Sequence, residues 1–186
     1  MNLLEVAALS WLVWAGYWIL ARRFVKTTKS TESAGLGMLH VIPLAVGIYL
    51  IFHGSASGVF KWPLYVSPLL QWVGLAMTVC GLLFAVWSRL HLGRNWSAMV
   101  TLKEGHELVR SGPYRFVRHP LYTGFLSALV ASAVVAETGD AFIGVAIIIV
   151  AYLVKMGREE ELLAREFGEQ YRSYAHEVAR LVPFVY

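Results

Sequence analysis

The sequence has little charge, almost no cysteine and few interruptions in its apolar runs. Only 15% of its 186 residues are charged and 58% are hydrophobic, whereas roughly 25% of an average soluble domain is charged. The single Cys80 excludes an internal disulfide and a cluster of cysteine ligands around a metal. Because a soluble protein needs a charged surface, this composition indicates a protein that lies in a lipid bilayer.

Several motifs of soluble enzymes are also missing. The sequence contains no G-x-S-x-G segment, which would indicate a hydrolase nucleophile, and no G-x-G-x-x-G segment after a strand, which would indicate a dinucleotide-binding domain. Its six histidines never fall at the H-x-x-x-H spacing that brings two imidazoles to one face of a helix. We therefore predict no metal centre, with a di-iron site at His106, His119, Glu159 and Glu160 left open as an alternative.

Long apolar runs predict an all-α integral membrane bundle of about five transmembrane helices, in a single domain that covers residues 1–186. The predicted helices cover approximately residues 3–21, 36–53, 68–88, 120–137 and 140–157. A helix needs about 20 residues to cross the hydrocarbon. The first run contains three tryptophans and is followed, not preceded, by basic residues, so we interpret it as a helix and not as a cleaved signal.

The distribution of basic residues predicts the orientation in the membrane. If the amino terminus faces outside, 15 of the 16 lysines and arginines fall on the inner side, and only Lys61 falls outside. Since inner loops are enriched in these residues, the sequence predicts an outer amino terminus and a cytosolic carboxy terminus. The net charge of +4 follows from these flanks, so nucleic acid is not an expected partner.

The most polar part of the chain is a predicted cytosolic segment, residues 89–119, between the third and fourth helices. The stretch HELVRSGPYRFVRHPLYTG, residues 106–124, combines histidine, tyrosine, arginine and proline beside long apolar runs. Polar groups kept at membrane depth are typically functional, so we predict that this segment binds a ligand. A structural interpretation is open too: Pro120 suits a first helical turn, and Tyr114 and Tyr122 suit interface anchors.

A second polar segment follows the fifth run. Residues 158–181 are predicted to form a cytosolic amphipathic helix, because apolar side chains recur at helical spacing. The acids Glu159, Glu160 and Glu161 lie at its start, where carboxylates also stabilise a helix without any other function. Basic and aromatic groups on one segment and carboxylates on the other suit a zwitterionic cofactor with a cationic centre.

Residues 106–124, followed by EEELLAREFGEQYRSY and then VPF, resemble the isoprenylcysteine carboxyl methyltransferases and the related phospholipid N-methyltransferases. The resemblance covers residues 89–186 and leaves out the first two helices. It implies a small helical membrane fold that binds S-adenosylmethionine at the cytosolic face. The cofactor-binding residues that it implies are His106, Leu108, Val109, Tyr114, Arg118, His119, Pro120, Leu121, Tyr122 and Glu159.

The catalytic residues that we expect from this resemblance are Lys155, Arg158 and Glu160. Lys155 occupies the position at which the eukaryotic enzymes have an arginine implicated in substrate binding. Lysine keeps the positive charge but lacks the planar guanidinium that binds a carboxylate with two parallel hydrogen bonds. A carboxylate acceptor needs no base, whereas an amine acceptor would need one, for which Glu160 is the candidate. The acceptor is expected to be a lipophilic small molecule, a lipid or a prenylated substrate that arrives from the bilayer.

Other functions stay open. A phospholipid (amine) N-methyltransferase has the same motifs. Membrane sterol reductases have a related motif region and use NADPH, whose 2′-phosphate would meet Arg94, Lys103 and Arg110. A membrane protein that keeps the motif only as a scaffold would bind no cofactor. The short chain favours a prokaryotic cytoplasmic membrane as its location.

Overall fold

The computed structural model of the chain describes residues 1–21, 28–31, 34–57, 62–96, 101–103, 105 and 107–185. Within these residues the helices are α1 (Leu3–Ala21), α2 (Ala34–Ser57), α3 (Pro68–Leu92), α4 (Pro120–Ala136), α5 (Gly139–Phe167) and α6 (Glu169–Glu177). Two short strands, β1 (Thr28–Thr31) and β2 (Thr101–Lys103), pair antiparallel. The architecture is a helical bundle, which confirms the predicted all-α class.

Within the described residues, three helices are long and apolar enough to cross a membrane: α1, α3 with the turn that follows it to Asn95, and α5. The His40–His53 part of α2 and the whole of α4 are shorter apolar helices. Leucine, valine and isoleucine side chains point away from the bundle on α1, α3 and α5 and are exposed, as lipid contact requires. The chain is an integral membrane protein.

Close glycine contacts join the helices into two antiparallel pairs. In the pair α3 and α4, a Cβ added to Gly124 would lie 2.5 Å from the carbonyl oxygen of Gly81. In the pair α2 and α5, a Cβ added to Gly144 would lie 2.6 Å from the carbonyl oxygen of Gly47. Small residues let the backbones of membrane helices approach this closely. As a result α3 and α5 finish, and α2 and α4 begin, at one end of the bundle, which we call the basic end.

A buried core joins the two pairs. Leu129 of α4 and Ile148 and Met156 of α5 are fully buried, and Ile51 of α2 packs with them. From α1, the indole nitrogen of Trp11 donates a hydrogen bond of 3.0 Å to the hydroxyl of Ser132. This packing fixes the first turn of α4 against the last turns of α5.

The prediction of one amphipathic helix over residues 158–181 was wrong. Helix α5 continues without interruption from Gly139 to Phe167, so it also extends well past the predicted end at residue 157. Gly168 then ends it with a φ of +54°, a left-handed conformation that is open to glycine at no steric cost. After α6, residues 178–181 leave the helix as an extended segment, which we call the tail segment, and Ala179 pairs with Val117 in a parallel β-bridge.

Candidate functional site

The site forms around the first turn of α4. Gly112 begins the preceding short 3-10 helix, Gly112–Arg115, with a φ of +58° beneath the ring of His91. Pro120 then occupies the first helical position, where its missing N–H costs no hydrogen bond. His119 takes the N-cap position, but its side chain makes no capping hydrogen bond. The buried imidazole is therefore available for other contacts.

Two neighbouring carboxylates of α5 meet this turn. The Nε2 atom of His119 lies 3.0 Å from Oε1 of Glu160, and its Nδ1 atom lies 3.7 Å from Oε2 of Glu159. The hydroxyl of Tyr122 donates a hydrogen bond of 2.6 Å to Oε1 of Glu159. The structure thus brings together two motifs that are about forty residues apart in the sequence.

Two arginines complete the contacts of Glu160. The Nε atoms of Arg118 and Arg180 donate to the same oxygen, Oε1, at 3.1 and 3.2 Å. Arg180 belongs to the tail segment and was missed by the sequence reasoning. In the sequence, Arg180 is a basic residue shortly before V-P-F. No pattern distinguishes it there from the other basic residues on the predicted inner side.

Backbone pairing holds the tail segment in place. The backbone N–H groups of Arg118 and His119 donate to the carbonyl oxygens of Ala179 and Arg180, at 2.8 and 3.1 Å. The hydroxyl of Thr123 donates to the carbonyl oxygen of Leu181 at 2.7 Å. These bonds explain why Arg180 reaches Glu160, and why residues 178–181 do not continue the helix.

A second group of polar side chains lies one helical turn before Glu159. Lys155 is buried in the core, with 6% of its surface exposed, and its Nζ atom lies 3.5 Å from Nε2 of His40. The ammonium also lies over the rings of Tyr122 and Tyr152, 5.6 and 5.5 Å from their centroids. His40 is a site candidate that lies outside the motifs found in the sequence. Arg158, the other basic residue predicted here, is partly exposed.

Tyr114 lies inside the protein at the basic end. Its hydroxyl donates to the carbonyl oxygen of Ser88 at 3.4 Å, and its own carbonyl oxygen accepts a 2.6 Å hydrogen bond from the hydroxyl of Tyr174. Tyr114 and Tyr122 are both buried. The alternative interpretation of these two tyrosines as interface anchors was therefore wrong.

The other predicted residues have simpler surroundings. Pro120 is fully buried, and Leu121 packs against the core. Leu108 and Val109 are partly buried. His106 lies outside the described residues. Of the arginines suggested for a 2′-phosphate, Arg110 pairs with Glu177 at 3.6 Å, whereas Arg94 lines a different cleft.

The tyrosines near the tail segment are hydrogen-bond donors, not bases. Burial raises the pKa of Tyr174 to about 12, although the positive charges of Arg118 and Arg110 lower it. Burial also raises the pKa of Tyr114 and of Tyr171 well above the ordinary value of a tyrosine. Their hydroxyls therefore stay protonated at neutral pH and can only donate or accept hydrogen bonds.

The arrangement places both signs of charge within one small volume. Glu159 and Glu160 supply carboxylate oxygens, each of which can accept more than one hydrogen bond. Arg118 and Arg180 supply donors beside them. Such a site fits a ligand that carries an ammonium and a carboxylate together. Fold and contacts define a helical membrane protein with a partly buried cluster of acids and arginines at its basic end.

Residues 72–165, half of the chain, match the model of the isoprenylcysteine carboxyl methyltransferase (ICMT) family. The chain belongs to this family, which confirms the resemblance found in the sequence. The match includes α4, the residues of its first turn and both acids of α5, but it leaves out His40 and Arg180.

The chain is similar to named relatives over part of its length. It is 32% identical to protein-S-isoprenylcysteine O-methyltransferase B of Arabidopsis thaliana over 60% of this chain and 58% of that protein. It is 37% identical to methanethiol S-methyltransferase 1 of Bradyrhizobium diazoefficiens over 38% of this chain and 24% of that protein. The chain thus spans less than two thirds of the length of these relatives.

A solved structure of the eukaryotic intramembrane Ras methyltransferase ICMT has a similar fold. The TM-score is 0.54 at 21% sequence identity, over 84% of this chain and 55% of the solved one. The similarity therefore extends beyond residues 72–165.

Proposed function

We propose that this protein is an S-adenosylmethionine-dependent membrane methyltransferase that transfers a methyl group to a lipophilic acceptor. The observation that carries the proposal is the contact of two acids on α5 with the first turn of α4. Glu159 meets the hydroxyl of Tyr122 at 2.6 Å, and Glu160 meets His119 at 3.0 Å. His119, Tyr122 and Glu159 are residues that the family's motifs imply for the cofactor, Glu160 is the neighbouring catalytic candidate, and membership of the family supports these roles.

The residues present fit the amino-acid end of S-adenosylmethionine. The carboxylate of Glu159 can still accept hydrogen bonds from an ammonium, because a carboxylate accepts about four hydrogen bonds in all. Within the described part of the chain, Arg180 makes its polar contact through Nε, so its two terminal nitrogens remain for a carboxylate. The face of the Tyr122 ring suits the sulfonium, since aromatic faces attract cations.

The second polar group fits an anionic acceptor. Lys155 and Arg158 are cationic, and His40 adds a polar nitrogen 3.5 Å from the lysine. Lys155 lies one turn further from the basic end than Glu159, between the cofactor residues and the lipid-facing part of α5. A carboxylate would be attracted there, whereas a protonated amine would be repelled. We therefore propose O-methylation of a carboxylate, as opposed to N-methylation of a phospholipid amine.

In this mechanism the protein binds and orients the cofactor and the acceptor, and it excludes water from them. When bound, S-adenosylmethionine supplies the methyl group, and a carboxylate acceptor takes it without losing a proton. Glu159 and Arg180 hold the two charged ends of the amino-acid part, and Lys155 holds the acceptor carboxylate. Pro120 and Met156 are fully buried beside these residues and keep water out. Alignment of two reactants in a dry site is the main contribution that such a reaction needs.

The proposal includes an orientation. The basic end faces the cytosol, because this places 15 of the 16 lysines and arginines on the inner side. A soluble cofactor would reach the site from the cytosol, and a lipophilic acceptor would reach it from the bilayer. The prokaryotic cytoplasmic membrane stays a prediction.

Calorimetric binding to the detergent-purified protein tests the cofactor. We expect S-adenosylmethionine and S-adenosylhomocysteine to bind with micromolar Kd values. Glu159→Gln should raise these Kd values at least tenfold, which corresponds to about 1.4 kcal/mol of binding free energy. Glu161→Gln is the matched control, because Glu161 is exposed and, among the described residues, its ion pair is with the exposed Arg165 of its own helix, at 3.6 Å. Undiminished binding in Glu159→Gln would reject the residue assignment. Binding of NADPH alone would place the protein with the reductases.

Methyl transfer from labelled cofactor tests the acceptor. We expect an S-prenylated N-acetylcysteine to be methylated, and phosphatidylethanolamine not to be. Lys155→Gln should raise the KM for the prenylated acid much more than it changes cofactor binding, because the lysine is assigned to the acceptor. Methylation of the amine lipid in preference to the acid would contradict the carboxylate assignment and leave the cofactor assignment intact.

A further inference from the structure

A second cationic region lies away from the acidic pair, between the carboxyl ends of α1 and α3. A cleft of about 400 Å³ opens there, lined by the apolar side chains of Leu20 and Leu90 and the polar side chains of Tyr17, Arg89 and Arg94. This volume lies within the usual range of ligand sites, about 300–1,000 Å³. None of these residues contributes to the contacts of Glu159 and Glu160 described above.

Arg89 is a buried cation in this cleft, with only 4% of its surface exposed. Its terminal nitrogens donate to the carbonyl oxygens of Gly93 and Ala21, and its guanidinium lies 4.6 Å from the ring centroid of Trp96. Its Nε atom is buried and has no hydrogen-bond partner among the residues that the structure describes. A buried donor without an acceptor costs free energy, about 1–3 kcal/mol and more when it belongs to a charged group.

The structure describes no acidic partner for the two arginines of this cleft. Among the described residues, no carboxylate lies within ion-pair distance of Arg89 or of the exposed Arg94. A charged side chain in a membrane helix normally pairs with another ionisable group or with backbone carbonyl oxygens, because the charge is costly in a medium of low polarity. Arg89 is held by two carbonyl oxygens, which do not neutralise its charge, and no acid among the described residues pairs with it or with Arg94. The cleft therefore offers positive charge to an anion that approaches from outside.

We propose that this cleft binds the phosphate-bearing headgroup of an anionic membrane phospholipid. Its position supports a lipid as the source of the phosphate, because the cleft opens between two helices that can cross the membrane. Leu20 and Leu90, on its two walls, are 61% and 64% exposed and offer an apolar surface to acyl chains. The basic end of a membrane protein is also where anionic headgroups gather. The site is separate from the proposed methyltransferase site.

Thermal unfolding of the full chain in micelles tests this proposal. Phosphatidylglycerol should raise the Tm by at least about 3 °C more than the same amount of phosphatidylcholine, because a ligand that binds the folded state stabilises it. Arg94→Gln should lose most of this difference. The matched control is Arg115→Gln, which removes an exposed arginine at the same end of the bundle but outside the cleft. Arg89→Gln should abolish the difference, and Arg94→Gln alone decides the matter if Arg89→Gln does not fold.

Three results would overturn the proposal. Equal shifts from the two lipids would show that the cleft does not select an anionic headgroup. An equal loss in Arg115→Gln and Arg94→Gln would show only a diffuse attraction to charged lipid. A full shift from inorganic phosphate or glycerol phosphate without lipid would assign the cleft to a soluble anion. Cofactor binding in Arg94→Gln should equal that of the wild type, so this test does not depend on the proposed function.

Discussion

At the residue scale, a single carboxylate oxygen organises the acidic pair. Oε1 of Glu160 lies 3.0 Å from the imidazole of His119 and accepts hydrogen bonds of 3.1 and 3.2 Å from Arg118 and Arg180. Hydrogen bonds to charged groups are stronger than neutral ones, and the side chain of Glu160 is only 20% exposed. Water therefore cannot fully replace these partners when the acid is removed.

Glu160→Gln should lower the free energy of unfolding by about 1–3 kcal/mol, because it leaves two arginines in a partly buried site without their shared counterion. Thermal unfolding in detergent measures the change. Glu161→Gln, one residue further along α5, should stay within about 0.5 kcal/mol of the wild type, as expected for an exposed ion pair. Equal effects of the two substitutions would contradict the structural importance of the shared oxygen.

The sequence predicted part of this site at residue level. His119, Tyr122, Glu159 and Glu160 belong to motifs whose spacing marks them out, and the structure brings them together. His40 could not be predicted, because its contact with Lys155 joins residues 115 positions apart, and one histidine in an apolar helix is usually a packed residue. Arg180 is outside the motif as well, and only the backbone pairing of the tail segment brings it to Glu160.

At the scale of helices, the apolar runs of the sequence predicted which segments are helical better than they predicted where each helix ends. The apolar spacing of α5 continues beyond Gly168 through Tyr171 and Tyr174, so periodicity alone predicted one helix. The break between α5 and α6 depends on the conformation of Gly168. The tail segment after α6 is held by hydrogen bonds from the backbone N–H groups of Arg118 and His119. The strands β1 and β2 were not predicted for a similar reason, since they are three or four residues long and pair across about 70 residues of chain.

The glycine contacts between helices lead to a test at this scale. Gly124→Ala should destabilise the protein by about 1–3 kcal/mol, because the added methyl group would lie 2.5 Å from a backbone oxygen of α3 and force the helices apart. The control is Gly16→Ala in α1, where a Cβ meets nothing within 4 Å. Alanine is the better helix former, so this control should be neutral or slightly stabilising. If thermal unfolding shows no difference between the two variants, α3 and α4 do not approach as closely as described.

At the scale of the whole molecule, the charges and the fold agree on one arrangement. Helices α3 and α5 finish at the same end, and among the described residues this end carries a cluster of arginines that includes Arg94, Arg110 and Arg118. The opposite end has the turn between α4 and α5, where Gln71 donates a 2.6 Å hydrogen bond to Glu137. The two ends should therefore face different compartments.

Labelling of single cysteines in whole cells checks the orientation. In a Cys80→Ser background, Tyr65→Cys should react with a membrane-impermeant maleimide from outside, because Tyr65 is 92% exposed at the end opposite the basic one. Arg172→Cys, on an exposed position of α6, should react only after the membrane is opened. The reverse pattern would place the basic end outside and contradict the charge rule.

The tail segment also has a consequence for the order in which the protein is made. Arg118 precedes Glu160 by 42 residues, whereas Arg180 follows it by 20. At a synthesis rate of about 5–20 residues per second, Arg180 is added about 1–4 s after the acid that it binds. A chain that ends before the tail segment would therefore lack one of the two arginines that bind Glu160.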